Sequence, residues 1–234
     1  MLCYFMMDEM AIRRQIDWDG KRFVGYLDMG VPVEDNTGLP VVHEALVFLI
    51  VSLTEHWKVP VGYFLIDGLG GSERANLVKL CLERLYDCGV RVLSLTFDGC
   101  RANNTMSNLL GASFDPDSLQ PMFQHPSNPD LFVCIVFDAC HMLKLMRNLL
   151  AEKKIILDEA GRQIKWSYIE ELHKLQQEEG LRAGNKLHER HIEFKRQKMK
   201  VKLAAQTLSS SVANALIFAK TLSSYLNFRI VMPL

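Results

Sequence analysis

Val90-Arg91-Val92-Leu93-Ser94-Leu95-Thr96-Phe97-Asp98-Gly99 is a short, largely apolar run that stops on an aspartate and a glycine. Such a run reads as a strand buried in a sheet, with Asp98 at its carboxyl end. Immediately upstream, Gly68-Leu69-Gly70-Gly71-Ser72 introduces a helix: Ser72 is a good N-cap, Leu77, Leu80, Cys81 and Leu85 recur at helical spacing, and Gly89 supplies the stop. Downstream, a helix is expected from Ala102 to Leu110, then a polar, Pro-rich loop from Ser113 to Asp130, then a strand from Leu131 to Phe137 that ends in Asp138. A further helix from Cys140 to Lys153 continues that strand.

Nearer the start, Leu2 to Met7 is another apolar run, and it ends in Asp8-Glu9. Ile16 to Tyr26 reads as a hairpin turning at Asp19-Gly20, followed by a loop over Gly30 to Pro40. Ala45 to Leu53 and Val59 to Ile66 are two more strands of an antiparallel meander. The order is three strands, helix, strand, helix, strand, helix. Antiparallel strands followed by helix-linked parallel ones give an α/β, ribonuclease H-like mixed sheet. From about Ile164 the pattern turns to helix, over Trp166–Glu179, Gly184–Leu208 and Ser211–Leu226. The expected division is a sheet core over 1–155 and a helical, partial insertion domain over 164–228.

Composition narrows the function. Lys plus Arg and Asp plus Glu both number 27, so the chain has no net charge, whereas a segment gripping DNA by itself would be basic. The run Lys195 to Lys202 is locally basic, and Lys195, Lys198 and Lys202 at three- and four-residue spacing read either as a solvated helix face or as phosphate contacts. The six cysteines contain no CxxC pair and no signal peptide precedes them, which favours a reducing compartment. His43, His56, His125 and His173 have no partners at ligand spacing, so zinc is not expected. The Gly68–Ser72 stretch lacks the Lys-Ser/Thr of a phosphate-binding loop and reads as a tight turn.

Three strands thus end in aspartate: Asp8, Asp98 and Asp138. In open sheets ligands gather at the carboxyl ends of parallel strands. Mg²⁺ takes carboxylate oxygens and keeps several waters, so two or three such acids can hold it for phosphodiester chemistry. An aspartate after a strand is equally a turn former or helix cap. The pattern leaves both readings open.

The phrases Asp8-Glu9-Met10, Trp57 to Leu65, Phe97-Asp98-Gly99 and Phe137 to Asn148 resemble the P-element transposase family, in particular its THAP-domain-containing branch, in order along Leu2 to Leu226. The resemblance implies a DDE-type core using Mg²⁺ or Mn²⁺, with Asp8 and Asp98 as catalytic, metal-binding acids and Asp138 and His141 in a supporting role. It implies transposon-end DNA as partner, a homo-oligomer when full length, and a nuclear location. The family's third acid, a Glu beyond a helical insertion, and its zinc-coordinating THAP domain have no counterpart here, so the chain reads as a fragment. Ala183 to Ile192 and Lys198 to Ser209 resemble the opening of the family's GTP-binding insertion domain. Asn185-Lys186 is similar to the NK of a guanine-recognition motif, with His188 where that motif carries Asp. A carboxylate accepts from the guanine ring better than an imidazole does. The alternative is a domesticated, non-catalytic DNA- or protein-binding module.

Overall fold

The computed structural model describes residues 1–21, 23–28, 38–180, 182–183 and 185–226, with side chains through Thr221. The loop expected over 30–40 and the tail from 227 onward therefore fall largely or wholly outside the described residues, as does residue 184 at the start of one expected helix. Contacts divide the chain into two compact units, Met1–Asp138 and Ala139–Leu234. That break falls one helix before the 155–164 boundary expected from the sequence.

The first unit contains strands β1 (Leu2–Ala11), β2 (Asp17–Trp18), β3 (Phe23–Val24), β4 (Glu44–Ser52) and β5 (Lys58–Ile66), then helix α1 (Gly71–Asp87). It continues with β6 (Arg91–Phe97), α2 (Arg101–Leu110), β7 (Met122–His125) and β8 (Asn128–Phe137). Six strands form one mixed sheet in the order β5-β4-β1-β6-β8-β7. β1 pairs antiparallel with β4 and parallel with β6, and β6 pairs parallel with β8. β2 and β3 make the small hairpin expected around Asp19-Gly20, with the Trp18 and Phe23 rings 5.0 Å apart.

Alternation along β1 decides which side chains reach the core. Cys3, Phe5 and Met7 are buried and pack with Phe48, Leu95, Val78, Leu82 and Met106, so α1 and α2 cover this face of the sheet. Leu2, Tyr4 and Met6 point the other way and stay exposed, as do Phe132 and Val136 on β8. α1 buries Arg74, Ala75, Val78, Leu82 and Leu85, one stripe at three- and four-residue spacing. Ser72 lies inside this helix: the N-cap is Gly70, with no side-chain cap bond, and Ser72 Oγ donates to Glu73 Oε2 at 3.0 Å. Gly89 has φ +76°, the left-handed conformation that ends the helix.

The stretch Ser113–Asp130 is not a plain loop. It contains a 3-10 turn at Pro116–Ser118, the edge strand β7 and the first residues of β8. β7 pairs antiparallel with β8, which puts buried Phe123 into the core opposite Val133.

The second unit comprises α3 (Ala139–Lys153), the hairpin β9 (Ile155–Leu157) and β10 (Gln163–Lys165), α4 (Ser167–Glu178), α5 (Glu189–Ile192), α6 (Val201–Thr207) and α7 (Ser210–Leu226). Its core gathers Leu150, Trp166, Ile169, Leu172, Leu187, Phe194, Val212 and Ala215. The single helix expected over 184–208 is instead broken. Asn185 Oδ1 accepts from Leu187 N at 3.0 Å, a turn geometry that competes with helix, and Phe194–Gln197 is a 3-10 turn. Lys195, Lys198 and Lys202 consequently do not share one helix face. Lys198 Nζ is ion-paired with Glu152 of α3, and Arg147, fully buried on α3, donates to the Gln197 carbonyl at 2.9 Å. Among the described residues no helix is long and apolar enough to cross a membrane.

Candidate metal-anchoring site

Parallel pairing of β1 with β6, with a register shift between Cys3 and Tyr4, runs up to Met6 opposite Thr96. Two residues further along each strand stand Asp8 and Asp98. Both line a polar cleft of about 210 Å³ at this end of the sheet, together with Glu9, Glu44, Arg74 and Asn103. Asp8 is exposed and Asp98 half-buried. Asp98 follows directly from β6, but the first strand does not stop at Asp8-Glu9 as its apolar run suggested: β1 continues to Ala11, held by antiparallel pairing with β4 that sets Asp8 opposite Val47.

Each acid is held locally. Glu9 N donates to Asp8 Oδ1 at 2.9 Å. Asp98 Oδ1 accepts from Cys100 N at 3.2 Å and from Asn103 Nδ2 at 2.8 Å, turning the chain from β6 into α2. Asp98 is therefore both a turn former and a cleft residue. Behind it, Arg74 Nη1 donates to Asn103 Oδ1 at 3.0 Å and Nε to the Leu69 carbonyl at 3.0 Å, and the same guanidinium ion-pairs with Glu9. Arg74 and Asn103 are each only 4% exposed. Beside Asp98, burial raises the Cys100 thiol above its ordinary value and the neighbouring carboxylate adds to that shift, so this thiol stays protonated.

The donor set is all oxygen, which suits a hard cation such as Mg²⁺ or Mn²⁺ and not zinc. Among the described residues no group of three or more His, Cys, Asp or Glu side chains is arranged to hold a metal ion. The pair Asp8 and Asp98 thus fits a cation that keeps much of its water. Asp138 ends β8 with its N donating to the Phe97 carbonyl at 2.9 Å, and it does not line the cleft. His141 lies on α3, in the second unit.

That second unit has its own cleft, about 390 Å³, lined by His173, Gln176, Arg182, Leu187, His188 and Glu189 among others. His173 Nε2 lies 2.9 Å from Glu189 Oε2, and Arg182 Nη1 lies 3.3 Å from His188 Nε2. Desolvation, then the charge of Arg182, lowers the His188 pKa. Asn185 is buried with Nδ2 unpaired, and Lys186 is exposed; neither lines the cleft, although their neighbours Leu187 and His188 do.

Comparison with known proteins matches both units. Residues 1–111 match the family described as TNP-like, RNase H N-terminal domain, and residues 140–231 match the TNP-like, GTP-binding insertion domain. DNA transposase THAP9 of Homo sapiens is 30% identical over 222 residues, which is 94% of this chain and 24% of that protein. The chain is a homologue of the P-element transposases. Transposable element P transposase of Drosophila melanogaster is 24% identical over 216 residues, 92% of this chain and 26% of that protein. In the Drosophila P element transposase strand transfer complex, one chain matches with a TM-score of 0.76 at 23% identity, covering 94% of this chain and 45% of that one. The chain therefore spans about a quarter of the length of these two sequence relatives. The six-stranded mixed sheet is RNase H-like, as the strand order implied.

Four cleft residues of this transposase homologue escape a reading by strand ends: Glu9, Glu44, Arg74 and Asn103. Arg74 alone carried a signal, because it falls on the buried stripe of α1, where an unpaired charge is not tolerated.

Proposed function

We propose that this chain contributes the first two metal-anchoring acids, Asp8 and Asp98, of a DDE-type site for DNA strand cleavage and transfer. One observation carries the reading. Asp8, inside β1, and Asp98, directly after the adjacent parallel strand β6, line one polar cleft in a chain homologous to transposases. A divalent cation there would supply Lewis acidity toward the attacking and leaving oxygens of a phosphodiester. The chain's own part is to place one carboxylate within β1 and one just after β6, leave the Asp8 side open to solvent and substrate, and hold Asp98 through α2. The supporting role proposed for Asp138 rests on its place at the end of β8, which pairs with β6.

Transposon-end DNA is the proposed partner, reached by a homo-oligomer of the longer protein in the nucleus. GTP is the proposed ligand of the insertion domain, with Asn185 and Lys186 beside the second cleft as the residues to test. Mn²⁺ binding decides the central claim. Titration followed by the paramagnetic signal of free Mn²⁺ should show a site in the wild type that Asp8→Asn and Asp98→Asn each weaken by at least tenfold, the scale of losing a first ligand or its equivalent. Unchanged binding in both variants would remove the cation from this cleft.

A further inference from the structure

The cleft contains a relay whose chemistry allows few substitutions. A guanidinium only donates and a carboxylate only accepts. Arg74 and Asp98 do not meet directly in this relay; Asn103 stands between them, accepting from Arg74 through Oδ1 and donating to Asp98 through Nδ2. An amide is the short side chain that can do both at once, and the buried Arg74 fixes which way round it sits. The same Asn103 Nδ2 also reaches the Asp98 carbonyl at 3.2 Å, so backbone and carboxylate are gripped together. Arg74 simultaneously ion-pairs with Glu9, the residue after Asp8 on β1.

We propose that Asn103 and Arg74 are positioning residues for the cation site: Arg74 orients the Asn103 amide, Asn103 sets the Asp98 carboxylate, and the Arg74–Glu9 pair holds the end of β1 that presents Asp8. This rests on the reading of Asp8 and Asp98 as cation anchors. Neither positioning residue is expected to touch the cation. Three elements that are far apart in sequence (β1, α1 and α2) are tied through one buried guanidinium, so the two anchors keep a fixed relation to each other. A buried ion pair is weak evidence for stability by itself, since desolvation offsets its attraction. Its place here, against both anchors, is what assigns it to orientation. Groups behind a metal ligand commonly change metal affinity by about 10–100-fold when removed.

The test uses the whole chain and Mn²⁺ alone. Asn103→Leu keeps the side-chain size and removes both hydrogen-bonding ends. It should weaken Mn²⁺ binding about tenfold, while metal-free hydrogen-exchange protection of α1 and α2 stays at the wild-type level. Arg74→Lys should weaken it several-fold, because one ammonium cannot span Glu9, the Leu69 carbonyl and Asn103 as the guanidinium fork does. Asp98→Asn is the control. If Asp98→Asn loses Mn²⁺ and both positioning variants bind like wild type, this inference fails and the anchor reading stands. If Asp98→Asn also binds like wild type, the anchor reading fails and takes this one with it. If affinity falls only in step with lost metal-free protection, the relay is a structural clasp and the proposal is overturned. Should Asn103→Leu not fold, Arg74→Lys decides on the same criteria.

Discussion

Gly71→Ala probes the packing that brings Asn103 to Asp98. Gly71 opens α1 where it crosses α2, and a Cβ added there would stand 2.6 Å from Thr105 Cβ, 2.7 Å from Thr105 Cγ2 and 2.9 Å from Met106 N. The last contact is backbone, and Met106 is itself fully buried, so side-chain rotation cannot relieve it. Overpacking of this kind costs about 1–3 kcal/mol. The higher helix propensity of Ala returns at most about 1 kcal/mol, and less in a first turn. A net loss of about 1–2 kcal/mol is expected, visible as a lower urea midpoint with an unchanged slope. Thr105→Ala removes Cγ2 but leaves Cβ, so the double variant should recover only part of the loss, with a coupling of about 0.5–1 kcal/mol. Because Thr105 lies two residues from Asn103 on α2, the shift should also weaken Mn²⁺ binding. A Gly71→Ala chain as stable as the wild type, or more so, would refute the close approach and the helix placement that depends on it.

Two further outcomes follow from buried polar groups. His125, 2% exposed on β7, accepts from Ser127 N at 3.1 Å, and desolvation lowers its pKa below 6.5. The unfolded chain therefore binds the proton more readily than the folded one, so this histidine's contribution is complete above about pH 6.5 and is lost as pH falls through the lower folded value. Urea unfolding from pH 7 to 5 should show a shallower loss in His125→Gln than in wild type, and equal slopes would contradict the assignment. Arg147, whose guanidinium burial pulls below its ordinary pKa, ties α3 to the carbonyls of Gln197 and Lys198. Arg147→Met should cost about 1–3 kcal/mol, because the stranded carbonyls outweigh the relief of a buried cation; exchange at 194–200 should rise, and a more stable variant would mean the charge is a net cost.

Strand order was legible because the strands of the sheet core contain apolar runs bounded by polar residues, although β1 runs on past its own through Asp8 to Ala11. Leu2–Met7, Ala45–Leu53, Val59–Ile66, Val90–Phe97 and Leu131–Phe137 all correspond to observed strands within a few residues. What escaped were short elements defined by a partner. β7 has four residues and alternates exposed and buried only because β8 folds back on it through Pro126-Ser127. The hairpin β9–β10 has three residues a side, pinned by Asp158 accepting from Ala160 N and Arg162 N. The long helix expected over 184–208 failed for the opposite reason. Its apolar and basic spacing is helical, but Asn185 and the reciprocal His188–His191 bonds offer the backbone nearer partners.

The site divides along the same line. Asp98 is legible as the polar stop of a buried strand; Asp8 reads as the stop of another, although β1 runs on through it to Ala11 because β4 supplies an antiparallel partner that no local pattern records. Glu9, Arg74 and Asn103 act only as a meeting of three segments, which no local pattern records. Arg74 comes nearest to being readable. With Val78, Leu82 and Leu85 it completes the buried stripe of α1, so the helix face that should be wholly apolar begins with a cation. A cation in that position needs an acid and an acceptor facing it from neighbouring elements. Glu9 on β1 and Asn103 on α2 are those groups, and each donates a hydrogen bond to an aspartate that lines the cleft. The charge that looks misplaced on the helix thus touches Glu9, next to Asp8, and Asn103, which holds Asp98, and under the proposed positioning role its burial serves the site.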